Sequence, residues 1–288
     1  MIKTRKLKAS TLRNIEGTIF LLPWLFGLLV FMAFPIGFSF YMSFNQVKIV
    51  PEGLDIQYKG LSYYKLILFE QGSILYNDLI PFLRQALFMI PIIVIFALLV
   101  AIMLNYKFPG RMMFRTVFFL PVIFSSGQII QEFYDQGEGT LGFLEQYNIS
   151  SYVSMVFPGA WGATISSVLN SFVLILWYSG VQILIFLAGR QTISSSVYEA
   201  ARIDGASPWE SFWKITLPGM VPFIFLNTIY TLVDLFTFPR NPIMQRVNTE
   251  DYGLSSALVW IYFAIVLLFL AVIMLAFARI SRSYQQTR

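Results

Sequence analysis

Three features of this 288-residue chain predict an all-α fold that crosses a membrane several times. Hydrophobic residues make up 57% of it and charged residues only 12%, against about 25% charged in an ordinary soluble domain. The charges sit in short clusters between long charge-free runs, and about 20 apolar residues suffice to cross the hydrocarbon core. Basic residues also concentrate in alternate intervals between those runs, the pattern set by cytoplasmic loops.

Residues 1–16 form a basic start carrying Lys3, Arg5, Lys6, Lys8 and Arg13. Nothing between Glu16 and Lys48 is charged, and the stretch around Ile19 to Tyr41 is the first expected span. It is too long for the apolar region of a signal peptide and lacks a small-residue cleavage site, so it is expected to be retained. Further runs at Gln85 to Tyr106, Thr116 to Gln131, about Val168 to Leu187, about Leu217 to Leu235 and about Leu254 to Phe277 give six spans. The whole of 17–288 then reads as one membrane domain, with an external loop at about 45–81 too short and polar to bury a core of its own.

Orientation follows from the basic residues. With the N-terminus inside, cytoplasmic segments hold fourteen of the twenty: those of the basic start, Lys107, Arg111, Arg115, Arg190, Arg202, Lys214, Arg279, Arg282 and Arg288. Both termini are therefore expected to be cytoplasmic. The uncharged stretch from Gln146 to Gly189 has room for two spans, but its first half carries Ser150, Ser151, Ser154, Pro158, Gly159 and Gly162 and reads as an external interfacial segment. A second span there would invert everything downstream and place Arg190, Arg202 and Lys214 outside.

Several chemistries are excluded or weakened by residue type. The chain has no Cys and no His, which removes thiol chemistry and the usual zinc sites. No Gly is followed by Lys, so the phosphate-binding loop ending in Gly-Lys-Ser/Thr cannot be present. Glu138 and Glu145 flank a Gly-rich external loop and read as a solvated face. A net charge of +5 follows the membrane rather than a nucleic acid.

The polar segment at about 190–217 stands between two apolar runs. Ala200 and Ala201 favour helix, and Gly205 offers a left-handed turn after its end. Ser207-Pro208-Trp209-Glu210 reads as a new start, with Ser207 as N-cap, Pro208 at the first helical position and Glu210 closing a capping box. Two short helices at an angle are predicted.

Glu199-Ala200-Ala201, three residues, Gly205, nine residues, then Ile215-x-Leu217-Pro218 resembles the EAA loop of the membrane subunits of ABC importers. The wording from Tyr198 to Ser207, with Phe20-Leu21-Leu22-Pro23 and Tyr41-Met42-Ser43-Phe44, is similar to the carbohydrate branch, the permeases for maltose, glycerol phosphate and other saccharides. The resemblance implies a bacterial cytoplasmic-membrane permease with six transmembrane helices, working beside a second permease, two ATPase subunits and an external solute-binding protein. ATP and Mg would belong to the ATPase chains, and this chain would be non-catalytic. Glu199, Ala200, Ala201, Asp204, Gly205, Ile215, Leu217 and Pro218 would form the coupling loop, its helix seated in a cleft of the ATPase. Relatives often carry Pro near Ser194, where this chain has Ser194-Ser195-Ser196; a Ser caps a helix as well.

Sugar recognition combines an aromatic face with polar groups for the hydroxyls, because a buried unpaired hydroxyl costs roughly 1 to 3 kcal/mol. Trp177, Tyr178, Gln182, Asn227, Tyr230, Asp234, Ser256, Trp260 and Tyr262 are the groups of this kind in spans four to six. Asn227, Tyr230 and Asp234 fall at helical spacing. Asp234 lines the passage or sits at the outer interface paired with Arg240, and the aromatics are pathway residues or an interfacial belt. Gln128, Gln131 and Glu132 line an entrance or hold helices together. Rival readings are a permease for glycerol phosphate or another polar solute, a membrane-embedded enzyme, and a membrane scaffold.

Overall fold

A computed structural model describes residues 9–51, 53–70, 74–106, 108–123, 132, 146–238, 241–247 and 250–286. Among them, five helical stretches are long and apolar enough to cross a membrane: Gly17–Met42, Leu75–Asn105, Leu174–Gln191, Pro208–Gln245 and Tyr252–Arg279. These match five of the expected spans. The remaining one, Thr116 to Gln131, is described only as far as Ile123, in a helix over Arg111–Ile123. The chain is an all-α polytopic membrane protein, and the one sheet among the described residues is a small hairpin.

The chain divides into two compact units, Met1–Gln71 with Val247–Ile261, and Gly72–Arg246 with Tyr262–Arg288. In the first, helix α1 (Ala9–Leu28) runs through a widened π-type turn (Leu29–Ala33) into α2 (Phe34–Met42). No residue of Gly17–Met42 in its most apolar window is buried, and Phe20 is 85% exposed. So large an apolar surface requires lipid or another apolar helix around it.

An antiparallel hairpin follows, β1 (Asn45–Val50) and β2 (Gly53–Tyr58), in register from Asn45 opposite Tyr58 to Val50 opposite Gly53. A two-stranded hairpin is marginal alone, and this one is anchored. Val47 is buried, Asn45 Nδ2 donates to the Tyr41 carbonyl at 2.7 Å, and the Lys59 amide donates to the Phe44 carbonyl at 2.9 Å. Helix α3 (Ser62–Phe69) adds Tyr64, whose hydroxyl donates to Ser43 Oγ at 2.8 Å, and Tyr63, which donates to Asp251 at 2.6 Å. Burial and the adjoining Asp251 carboxylate push the Tyr63 hydroxyl well above its ordinary range. The other Asp251 oxygen accepts the amides of Gly253 and Leu254 at the start of the last long helix, Tyr252–Gln286. A Cβ on Gly253 would overlap the Asn45 carbonyl oxygen, so only glycine fits at that contact.

The second unit is built on α4 (Ile80–Asn105), α5 (Arg111–Ile123), two short helices α6 (Ile149–Val156) and α7 (Ala160–Asn170), and then α8 (Phe172–Gln191). The short pair, broken at Phe157 to Gly159, occupies the stretch read as interfacial. Next come α9 (Ser195–Ile203), α10 (Pro208–Ser211), α11 (Leu217–Thr237) and α12 (Pro242–Gln245), before the last helix, α13. The core joins α4, α8 and α11: Val94, Ala97, Leu98, Ala101 and Leu104 pack with Ile183, Phe186, Leu187 and Met220. Small Ala97 and Ala101 on α4 permit close helix approach, the usual device inside a bilayer.

Widened turns recur before prolines. The π-type turns Leu29–Ala33, Leu75–Leu79 and Phe212–Thr216 each end two residues before a proline, Pro35, Pro81 and Pro218. Proline has no amide hydrogen and its ring crowds the carbonyl four residues earlier, here Phe31, Asn77 and Lys214. All three carbonyls lie inside the widened turn, where the spacing relieves the clash. Pro23, Pro91 and Pro222 lie inside helices without one.

Candidate functional site: the polar segment and the polar residues of the spans

Helix α9 opens as the triple serine suggested. Ser194 is its N-cap, with Oγ accepting from the Ser196 amide at 3.3 Å. It closes in a Schellman motif, with Gly205 at φ +78°. The Gly205 amide donates to the Arg202 carbonyl at 3.1 Å and the Ala206 amide to the Ala201 carbonyl at 2.9 Å, so Ala201 supplies the far acceptor. A Cβ at Gly205 would meet nothing within 4 Å, so the glycine is required by backbone conformation rather than by crowding.

The predicted capping box is present. The Ser207 amide donates to Glu210 Oε2 at 2.9 Å, and the Glu210 amide donates to Ser207 Oγ at 3.2 Å. Hydrogen bonds from the Ser207 backbone and hydroxyl, then the charge of Lys214, hold the Glu210 carboxyl below its ordinary range. Lys214 stands 3.5 Å away in an exposed pair worth little in stability. The Phe212–Thr216 turn follows, and α11 then starts at Leu217 with Pro218 in its first turn.

Glu199, Ala200, Asp204 and Gly205 face outward, Ala201, Ile215, Leu217 and Pro218 are half-buried, and Ile203 is 87% exposed. A hydroxyl pair ties α9 to the root of α11: Tyr198 and Thr216 oxygens lie 2.9 Å apart. Arg190 at the end of α8 lies over the Tyr198 ring, 4.1 Å from its centroid. Tyr198 and Thr216 both stand in the wording of the motif segment, and its spacing does not mark them as a pair; the one sequence signal is a hydroxyl at either end of the turn.

The polar residues of the spans separate. Gln182 and Asn227 are fully enclosed between α8 and α11. Gln182 Nε2 donates to Thr231 Oγ1 at 3.1 Å and Asn227 Nδ2 to the Gln182 carbonyl at 3.4 Å. Asn227 therefore shares the buried face of α11 with Thr231, while Tyr230 is 36% exposed and Asp234 partly so. Arg240, the alternative partner for Asp234, lies outside the described residues, as do Gln128 and Gln131; Glu132 is exposed. Trp177 is half-buried and Tyr178 is buried with its ring edge-on to Phe238 at 5.3 Å. In the other unit, Ser256 is buried and Trp260 packs edge-on to Phe40 at 4.9 Å. Tyr262 is buried, its hydroxyl donating to the Phe236 carbonyl at 2.7 Å.

One small cleft of about 200 Å³ joins aromatic and amide groups: Tyr178, Phe82 and Phe238 with Gln85 and Asn241. Of these, only Tyr178 is among the sequence candidates for sugar recognition. Gln85 donates to Ser171 Oγ at 3.1 Å, and Asn241 Oδ1 accepts the Ile243 amide at 2.9 Å.

Long apolar helices interrupted by a capped polar segment define a multi-pass membrane protein with an outward-facing helical connector. Residues 73–286 match the family described as binding-protein-dependent transport system inner membrane component, and the chain belongs to that family. It is 28% identical over 288 residues to the probable ABC transporter permease protein YesP of Bacillus subtilis (strain 168), covering 92% of this chain and 90% of that one. It is 31% identical over 246 residues to the arabinooligosaccharides transport system permease protein AraP of the same organism, covering 82% and 74%. Its fold resembles a chain in the crystal structure of a bacterial alginate ABC transporter in complex with alginate pentasaccharide-bound periplasmic protein, with a TM-score of 0.60, 18% identity, and 97% and 98% coverage.

Proposed function

We propose that this chain is one of two dissimilar permease subunits of an ATP-driven importer for a saccharide, taken from an external binding protein. The observation that carries the reading is the outward-facing helix α9, which ends in the Schellman turn at Gly205 and is pinned to the root of α11 by Tyr198 and Thr216. A separate cytoplasmic ATPase needs a rigid element to grip, and a helix closed at both ends by its own hydrogen bonds is such an element. Relatives named for arabinooligosaccharide and multiple-sugar transport support the carbohydrate class.

In this mechanism the partner ATPases bind ATP and Mg and close. Helix α9, with Glu199, Ala200 and Ala201 against the ATPase, transmits that motion through Gly205 to Ile215, Leu217 and Pro218 and so into α11. The sugar passes between spans of the two permeases along residues that reach a surface, among them Tyr230, Asp234 and Trp177. Gln182 and Asn227 brace α8 against α11 and move with them. The cleft at Tyr178 offers ring faces and amides of the kind that hold a sugar ring.

Two measurements test this. Purification from membranes should bring down an ATPase whose hydrolysis rises with one member of a carbohydrate panel once the external binding protein is added. Single cysteines placed in this Cys-free chain at Arg202 and Ile56 should be labelled from the cytoplasmic and external sides respectively. External labelling at position 202 refutes the six-span topology with cytoplasmic termini, and a chain that carries no ATPase refutes the importer.

A further inference from the structure

A second cleft, of about 530 Å³, opens where α8, α9 and the Phe212–Thr216 turn meet the end of α4. Its polar lining comprises Asn105, Tyr106, Arg190, Tyr198, Arg202, Ser211 and Thr216, and no Asp or Glu is among the lining residues. Neither arginine forms an ion pair among the described residues. Two guanidinium groups thus line the cleft beside hydroxyl and amide groups, with no carboxylate among the lining residues.

The geometry points to a phosphate-bearing ligand. We propose that this cleft binds a phosphate ester, gripped by Arg190 and Arg202. Arginine presents a planar fork that fits two phosphate oxygens at once. Stacking on Tyr198 fixes the Arg190 plane, which lessens the entropy lost on binding. Tyr198 is in turn held by Thr216, which is buried in the floor. Ile102 and Phe212 supply an apolar wall for the organic part of the ester. The cleft is far roomier than a bare phosphate needs. A phospholipid headgroup and a soluble phosphorylated compound share this chemistry. The site depends on the side chains that line it and stands whether or not α9 docks an ATPase.

The test uses the purified full chain alone in a neutral detergent, so that no ATPase contributes a phosphate site. Thermal stability is followed while inorganic pyrophosphate, short-chain phosphatidylglycerol or short-chain phosphatidylcholine is titrated. Saturable stabilisation by pyrophosphate or phosphatidylglycerol is expected, weakened at least about tenfold in Arg190→Gln and in Arg202→Gln, because each removes charge-assisted hydrogen bonds. Lys214→Gln, outside the cleft, should bind like the parent. Response to phosphatidylglycerol alone identifies a lipid headgroup as the source; response to pyrophosphate alone identifies a soluble one. If an arginine-to-glutamine variant does not fold, Arg190→Lys and Arg202→Lys replace it and should weaken binding by severalfold through loss of the fork. Absence of binding, equal response to phosphatidylcholine, or affinity indifferent to both arginines overturns the proposal.

Discussion

Tyr198 and Thr216 bond to each other at 2.9 Å across the whole capped turn, so the outward helix and the foot of the next span are joined by side chains as well as by the chain between them. Tyr198→Phe removes that bond while keeping the ring under Arg190. A single neutral hydrogen bond contributes about 1 kcal/mol. Membrane abundance should stay near the parental level, with ATPase stimulation by sugar reduced. Equal stimulation in parent and variant would show that the tie carries no motion.

Gly205 gives a sharper contrast. At φ +78°, a β-branched side chain is strained by about 1 kcal/mol or more, whereas Asn enters this region more readily. Because a Cβ there meets nothing in this chain, Gly205→Val should insert normally and lose ATPase co-purification and uptake, and Gly205→Asn should keep more of both. Glu199→Lys is expected to resemble Gly205→Val through reversed charge on the same helix. Parental uptake in both would make the segment a plain connector.

The capping box predicts a pH dependence. Glu210 has its carboxyl lowered in the folded chain, so its contribution is complete above the ordinary glutamate range of about 4.3 and is lost as pH falls through the lowered value. Hydrogen-exchange protection of the Ser207 amide should decline over that acidic window. Glu210→Gln, which keeps an acceptor but cannot titrate, should flatten the profile.

Gln182 and Thr231 allow a double-mutant cycle inside the bundle. Thr231→Val leaves Gln182 Nε2 without its acceptor, and interhelical bonds in membrane proteins average about 0.6 kcal/mol. Gln182→Leu with Thr231→Val should lower thermal stability by less than the two single effects together. Strict additivity would show that the bond contributes nothing.

Asp234→Asn keeps the shape and removes the charge. If Asp234 lines the passage, assembly should be normal and uptake impaired. Unchanged uptake would place it at the interface instead.

Most of the span map was legible because it rests on charge. The expected Leu217 to Leu235 became Leu217–Thr237, since nothing charged lies between Lys214 and Asp234 and Pro218 occupies the first turn after the widened one. The segment around Gly205 was legible because capping chemistry is local: Ser207, Pro208 and Glu210 announce themselves within four residues. Which face of a span turns inward was not. In helices apolar all round, the periodic signal is weak, and Asn227 turned toward Gln182, with Thr231 beside it, through packing between helices far apart in sequence. The hairpin is absent from the sequence expectations although Val47, Ile49 and Val50 precede Pro51 and Gly53, because so short a strand signal inside a polar loop is weak beside the long apolar runs.

The Gly253 contact with the Asn45 carbonyl sets an order of events during synthesis. The two residues are 208 positions apart, so at about 5 to 20 residues per second the hairpin waits roughly 10 to 40 s for its seat to emerge from the ribosome. Through that interval the Asn45 carbonyl has no Gly253 beside it and Tyr63 has no Asp251 to donate to. Protease sensitivity at the hairpin is therefore expected to fall only once the final helix is complete.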